Sequence, residues 1–260
     1  MAAPESHGHE SGADSAGTPW AGRSFETNTS AADDGSAPEH LVEALRRFRA
    51  REIGEVQVVD ALRASRLLIP LVAELGETGT SATGHTIDKS QELAIVTVVG
   101  PDGRTVLPAF SSVEAMGRWN PTARPVPAEG IRVALAAAQE GTQLVVLDPT
   151  SETEFVIRRP ALWAMAQELP WTPSYDDADV QALIESSATG EPDVAAVTVE
   201  PGDPTARLAG PELVLVVGVR AGLDRLALDE VLARMQSRFA GEQLIAERVD
   251  SMAIRVETAR

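Results

Sequence analysis

The chain is expected to fold as an α+β protein, and three features of the sequence say so. Apolar runs of strand length alternate with segments of helical period, but without the regular strand–helix–strand rhythm of a doubly wound sheet. A strong hairpin turn, Asp102-Gly103, lies between two β-rich runs. The last part reads strand, strand, helix, strand, strand, a layout that packs one helix on one antiparallel sheet. Two mixed domains are therefore expected, residues 37–175 and 176–260, built mainly of antiparallel sheets with packed helices. Ahead of them come an acidic tail at 1–18, expected to be disordered, and an extended lead-in at 19–36.

In chain order, residues 37–52 place Leu41, Ala44, Leu45 and Phe48 at helical spacing, with Ser36 and Glu39 in the positions of a capping box. A second helix is expected to about Ser65, followed by the strand "RLLIPLVAE", where Pro70 points to an edge or a bulge because proline has no N–H to donate. A polar loop spans 76–90. The runs "ELAIVTV" and "GRTVLPAF" form the hairpin, and Ser111 or Ser112 caps a short helix ending near Asn120, just before Pro121. "GRWNPTARPVPAEG" reads as a stiff loop, because Pro121, Pro125 and Pro127 fix φ. Pro127 is placed near the first turn of the next helix, which ends at Gly141.

"TQLVVLDP" and "TEFVIRR" are paired strands, and Pro160 opens a helix to about Leu169. The Pro/aromatic connector "PWTPSY" leads into an acidic amphipathic helix with Asp176, Asp177 and Asp179 at its start. Strands "DVAAVTVE" and "PELVLVVGV" flank the turn-rich "PGDPTARLAG". A helix to Gly241 follows, and "EQLIAERV" and "SMAIRVE" read as two short strands.

The formal charge of −17 is spread as about −6 over residues 1–40, −3 over 41–175 and −8 over 176–260. Such a surface repels phosphate backbones and anionic lipid, so nucleic acid and membranes are not the expected partners. The middle of the chain is the least acidic part and the expected place for an anionic ligand. No run approaches the roughly 18 apolar residues of a membrane span, and the N-terminus has neither a basic nor an apolar stretch, so a cytoplasmic location is expected. With no cysteine there is no disulfide, thiolate nucleophile or thiolate-held metal. Arginine supplies all but one of the 22 basic residues, Lys89 being the exception.

Catalytic signatures are missing: there is no phosphate-binding glycine loop, nucleophile elbow or zinc-binding helix motif. His7 and His9 stand in the tail, His40 on the surface side of a helix and His85 in the polar loop, a poor inventory for acid–base work. Asp148 at a strand end is a candidate oxygen ligand or activating acid, although no D-x-D partner follows it and an Asp-Pro turn initiator is the favoured reading. Lys89 is a candidate anion contact or Schiff-base lysine, although a solvated loop lysine is the favoured reading, and Arg158-Arg159 at a strand end could hold a carboxylate or phosphate or serve helix packing. Phe110, Trp119, Arg124, Pro125 and Pro127 form the leading candidate surface, a guanidinium beside an indole on a stiff bend that suits a small anion or an acidic peptide.

The hairpin "DGRTVLPAF", the "RWNP" segment, the "ARPVP" run and the "LDP" turn together resemble the SseB-like family in its actinobacterial form, over roughly residues 40–170, with an SseB-like C-terminal domain after it. The resemblance implies no catalytic residues and no cofactor. The expected function is a non-catalytic binding or regulatory module without metal or cofactor. Its partner would be an unidentified protein or a small anionic ligand. Two alternatives stand beside it: an enzyme with a site built from Asp148, Arg124 and Lys89, and an assembly protein that self-associates as a homo-oligomer.

Overall fold

The computed structural model describes residues 33–74 and 92–259. The tail and lead-in to residue 32, the polar loop with His85, and Lys89 therefore lie outside the described residues. The fold is α+β. Eight helices and ten strands are described, in the order α1 Glu39–Arg49, α2 Glu55–Arg63, β1 Arg66–Glu74, β2 Glu92–Ile95, β3 Val98–Val99, β4 Thr105–Ala109 and α3 Val113–Trp119. Next come β5 Arg124–Glu129, α4 Gly130–Gln139, β6 Val145–Leu147, β7 Phe155–Ile157, α5 Arg159–Ala166 and α6 Ala178–Ser187. The last are β8 Val194–Pro201, β9 Leu213–Val219, α7 Arg225–Phe239, α8 Gln243–Arg248 and β10 Met252–Thr258.

Three sheets have the orders β2-β1-β5, β3-β4-β6-β7 and β10-β9-β8. A single bridge, Leu68 to Phe110, joins the first two. Helices α1, α2, α4 and α5 lay their apolar stripes on these sheets, and Leu41, Leu45, Val58, Leu62, Phe155 and Leu162 are among the residues that close the core. Phe48 meets Phe155 edge-on, with ring centroids 5.2 Å apart. Gly130 starts α4 where a Cβ would fall 2.1 Å from the Leu62 carbonyl oxygen, so only glycine lets α4 approach the end of α2 this closely.

A second core lies between the β10-β9-β8 sheet and helices α6 and α7, with Val180, Leu215, Val217, Val231 and Met235 at its centre. The loop 202–212 leaves this sheet and pairs with β7 of the β3-β4-β6-β7 sheet. The Val156 N–H donates to Ala206 O at 2.8 Å, Ala206 is buried in the larger core, and Leu208 packs with Val106, Leu144 and Val156.

Several local expectations are corrected. Helix α1 begins after Pro38 without a side-chain cap, so the Ser36–Glu39 box does not form. Strand β1 is the middle strand of its sheet, not an edge. It tolerates Pro70 because Leu68 exchanges both backbone bonds with Phe110, at 2.8 and 2.9 Å, and pairing with β2 resumes only at Leu71–Ile95. By the alternation of an antiparallel strand, the Pro70 nitrogen faces the gap between those two partners.

The run read as one arm of the hairpin splits between sheets: β2 pairs with β1, and only β3 pairs with β4. The stretch 124–129 is a strand paired with β1, not a loop, and Pro127 lies within it instead of in a helical turn. "EQLIAERV" is helix α8, because Gln, Leu, Ala, Glu and Arg are all strong helix formers and Leu244 and Ile245 reach the second core from one helical face. Strand β10 then returns parallel to β9.

Candidate functional site

The surface expected around Arg124 is built by α3 and β5. Ser112 Oγ caps α3 by accepting from the Ala115 N–H at 3.1 Å. Asn120 Oδ1 accepts from the Thr122 N–H and hydroxyl at 2.9 and 2.8 Å, which turns the chain into β5. Phe110 is fully buried, and the Trp119 ring, half-buried, lies 5.2 Å from it at a tilt of 43°. Trp119 is thus an anchor for α3, packed with Leu68, Met116 and Ala123.

Arg124, Pro125 and Pro127 are exposed, and the Arg124 side chain forms no hydrogen bond or ion pair with the described residues. Guanidinium–ring contacts among the described residues lie elsewhere, Arg49 over Phe48 and Arg159 over Trp163. Pro125 and Pro127 stand opposite Pro70 and Leu68, whose polar backbone atoms face away from β5. Their ring nitrogens therefore occupy the outer edge, which is left without N–H donors at both positions.

Asp148 is buried at 1% exposure and held from three sides. Its carboxylate accepts from the Ser111 N–H at 2.8 Å, the Ser111 hydroxyl at 2.7 Å and the Thr153 hydroxyl at 2.9 Å. It binds the end of β4 to the turn after β6, where Asp148 and Thr150 adopt φ of 45° and 67°. No hydrogen bond or ion pair joins Asp148 to Arg124. Lys89 lies outside the described residues.

Arg158 does hold carboxylates, but internal ones. With its side chain 6% exposed it donates to Asp203 at 2.9 Å, Asp250 at 3.0 Å, Ser251 Oγ at 3.2 Å and Gly210 O at 2.8 Å. Arg104 reaches the same Asp250 at 3.0 Å. Burial works against the Asp250 carboxylate, yet the two guanidiniums outweigh it and hold its pKa below the ordinary aspartate value.

Beside this cluster lies a second pair of acids. Glu212 accepts from the Asp250 N–H at 2.6 Å, and Glu55 accepts from the Tyr175 hydroxyl at 2.9 Å. Burial pushes the Glu55 carboxyl up to about 7, against the pull of the Tyr175 bond and with help from the Glu212 charge. Burial raises Glu212 as well.

One concavity among the described residues was not legible as a site in the sequence. Helix α5 ends in a Schellman turn: Leu169 N–H donates to Ala164 O at 2.9 Å and Glu168 N–H to Met165 O at 3.2 Å, with Glu168 at φ 56°. This turn sets Leu169 near Trp163, and Arg63 fixes it by donating to Leu169 O at 2.7 Å. Pro170, Trp171 and Thr172 continue in extended form as one wall of a groove of about 610 Å³. Asp177, Glu247 and Arg248 form the opposite rim.

Trp163 is 46% exposed and Leu169 51%, so the groove shows large apolar surface to solvent. The Arg159 guanidinium lies 5.0 Å from the Trp163 ring centroid and donates to Ala246 O at 2.6 Å and Val249 O at 2.5 Å. The indole is therefore exposed but supported from behind. "PWTPSY" was visible in the sequence as a Pro/aromatic connector; what linear reading missed is its approach to α8, a segment assigned there to a strand.

An α+β protein with an exposed aromatic groove is the class that these features define. Residues 41–164 match the family described as SseB protein N-terminal domain, and this part of the chain belongs to that family. The match runs from the third residue of α1 into α5 and stops beside Trp163. No curated protein and no solved structure matches the chain. Among the described residues no helix is long and apolar enough to cross a membrane.

Proposed function

We propose that the protein is a non-catalytic binding or regulatory module and that its contact face is the groove at Trp163. One observation carries this reading: an indole 46% exposed to solvent, supported from behind by Arg159, forms a wall of a groove within the roughly 300–1,000 Å³ range of ligand sites. A large aromatic left open at this cost in exposed apolar area is the usual anchor of an interface. The enzyme alternative draws no support from the geometry, since Asp148 is consumed by Ser111 and Thr153 and makes no bond with Arg124.

Affinity purification of the wild type, Trp163→Ala and Arg124→Ala, each checked for its fold by circular dichroism, tests the reading. Loss of the co-purifying partner with Trp163→Ala alone supports it. A partner set unchanged in Trp163→Ala overturns it, and loss with Arg124→Ala alone moves the contact face to the head of β5.

A second reading, self-association, is favoured by the C-terminal sheet. Strands β8 and β10 are both its edges, and neither carries proline before its last residue. Light scattering over a concentration series reads this directly: a constant monomer mass removes it.

A further inference from the structure

Resting on the groove as the contact face, we propose that it receives an extended, proline-containing segment of a partner protein, its apolar rings against Trp163, Leu169 and Trp171 and a basic side chain against Asp177 and Glu247. The groove's form favours a chain. Its wall is itself straight backbone, fixed by the Leu169-Pro170 and Thr172-Pro173 bonds, and its open side lets a peptide enter and leave.

Its chemistry is divided between two ends. Arg159 lines a smaller hollow of about 190 Å³ together with Ala134, Ala138 and Leu162, and it is not among the residues lining the groove. The cation therefore sits on one side of the indole, and the face toward the groove is open. A ring already carrying one guanidinium attracts a second cation weakly, so the open face is suited to an apolar group.

The cation of the partner goes to the rim. There Arg248 donates to Asp177 and Asp179, both at 2.9 Å, and Glu247, which accepts from Gln243 at 2.5 Å, adds a third carboxylate to the rim. The excess negative charge matches the −8 of residues 176–260 and steers a basic group to this end. Proline fits the apolar end because a polyproline II segment is ordered before binding and loses little entropy on docking into an aromatic groove. Gln167 and Thr172 offer donors for its carbonyl groups.

Fluorescence polarisation on the full chain tests this with three labelled peptides: a proline-rich one ending in two arginines, the same peptide ending in two glutamates, and a proline-free alanine/glycine peptide ending in two arginines. An apolar fluorescent dye serves as a fourth ligand. The proline–arginine probe is expected to bind at least about tenfold more tightly than the other two peptides. Its affinity should fall about tenfold with Trp163→Ala and about threefold with Glu247→Lys. Both side chains are exposed, so neither change empties the core.

Equal binding of the proline-free probe, or affinity unaffected by Trp163→Ala, overturns the proposal. Dye or acidic-peptide binding that requires Trp163, without binding of the proline–arginine probe, overturns it while leaving the groove as a contact face. No Trp163-dependent binding by any ligand overturns both.

Discussion

Two part-buried carboxyl groups, Glu55 and Asp250, respond to pH in opposite senses. Glu55 has a folded pKa of about 7, above its unfolded value of roughly 4.3. The folded state therefore holds the extra proton between these values. The stability so gained is complete below the unfolded pKa and is lost as pH rises through about 7. Glu55→Gln is expected to flatten the fall in urea midpoint between pH 6 and 8 and to leave the variant about 1–2 kcal/mol more stable than wild type at pH 8. An unchanged pH profile would contradict the burial of this carboxyl.

Asp250 runs the other way. Its lowered pKa gives stability above the unfolded aspartate value that is lost as pH falls through the folded one. Asp250→Ala leaves Arg158 buried with Asp203 as its remaining carboxylate, and chemical denaturation should show a loss of about 3–5 kcal/mol. A loss below about 1 kcal/mol would show that the pair is not desolvated as described.

Strand β5 shows what a linear reading of prolines reaches and what it leaves out. Stiffness around Pro121, Pro125 and Pro127 was legible, but strand and loop were not separable, since both accept the φ of proline. Spacing settles it in the structure: two prolines two residues apart put both missing donors on one side, and here that side is the open edge. Pro125→Val with Pro127→Val restores N–H donors to this edge and is expected to produce concentration-dependent association in sedimentation velocity. A double variant that stays monomeric at every concentration would show that the prolines do not protect it.

The α8 segment teaches the complementary lesson. "EQLIAERV" has a short apolar run that fits either period, and its helix-forming residues decide the outcome once Leu244 and Ile245 have a core to meet. The serine cap of α3, readable as Ser111 or Ser112, was legible because it depends only on residues three positions away, as was the acidic start of α6 that supplies the Asp177 cap.

At the scale of the whole molecule, the α+β class and most elements follow from periodicity and turn chemistry. Contacts between distant segments do not. Arg158 looked like one of two adjacent arginines; the structure gives it Asp203 and Asp250, 45 and 92 residues away. The groove is of the same kind, joining α5, the connector after it and α8.

The same long-range closure explains why the groove at Trp163 is not readable in the sequence while the bend at Arg124 is: a stiff bend is visible in sequence, a concavity is not. A photo-crosslinking residue placed at position 169 in the full chain, with positions 124 and 226 as controls, tests this assignment most directly. The account predicts an adduct from position 169 that disappears when Trp163→Ala is added, and none from 226. Adducts from 124 with none from 169 would contradict it.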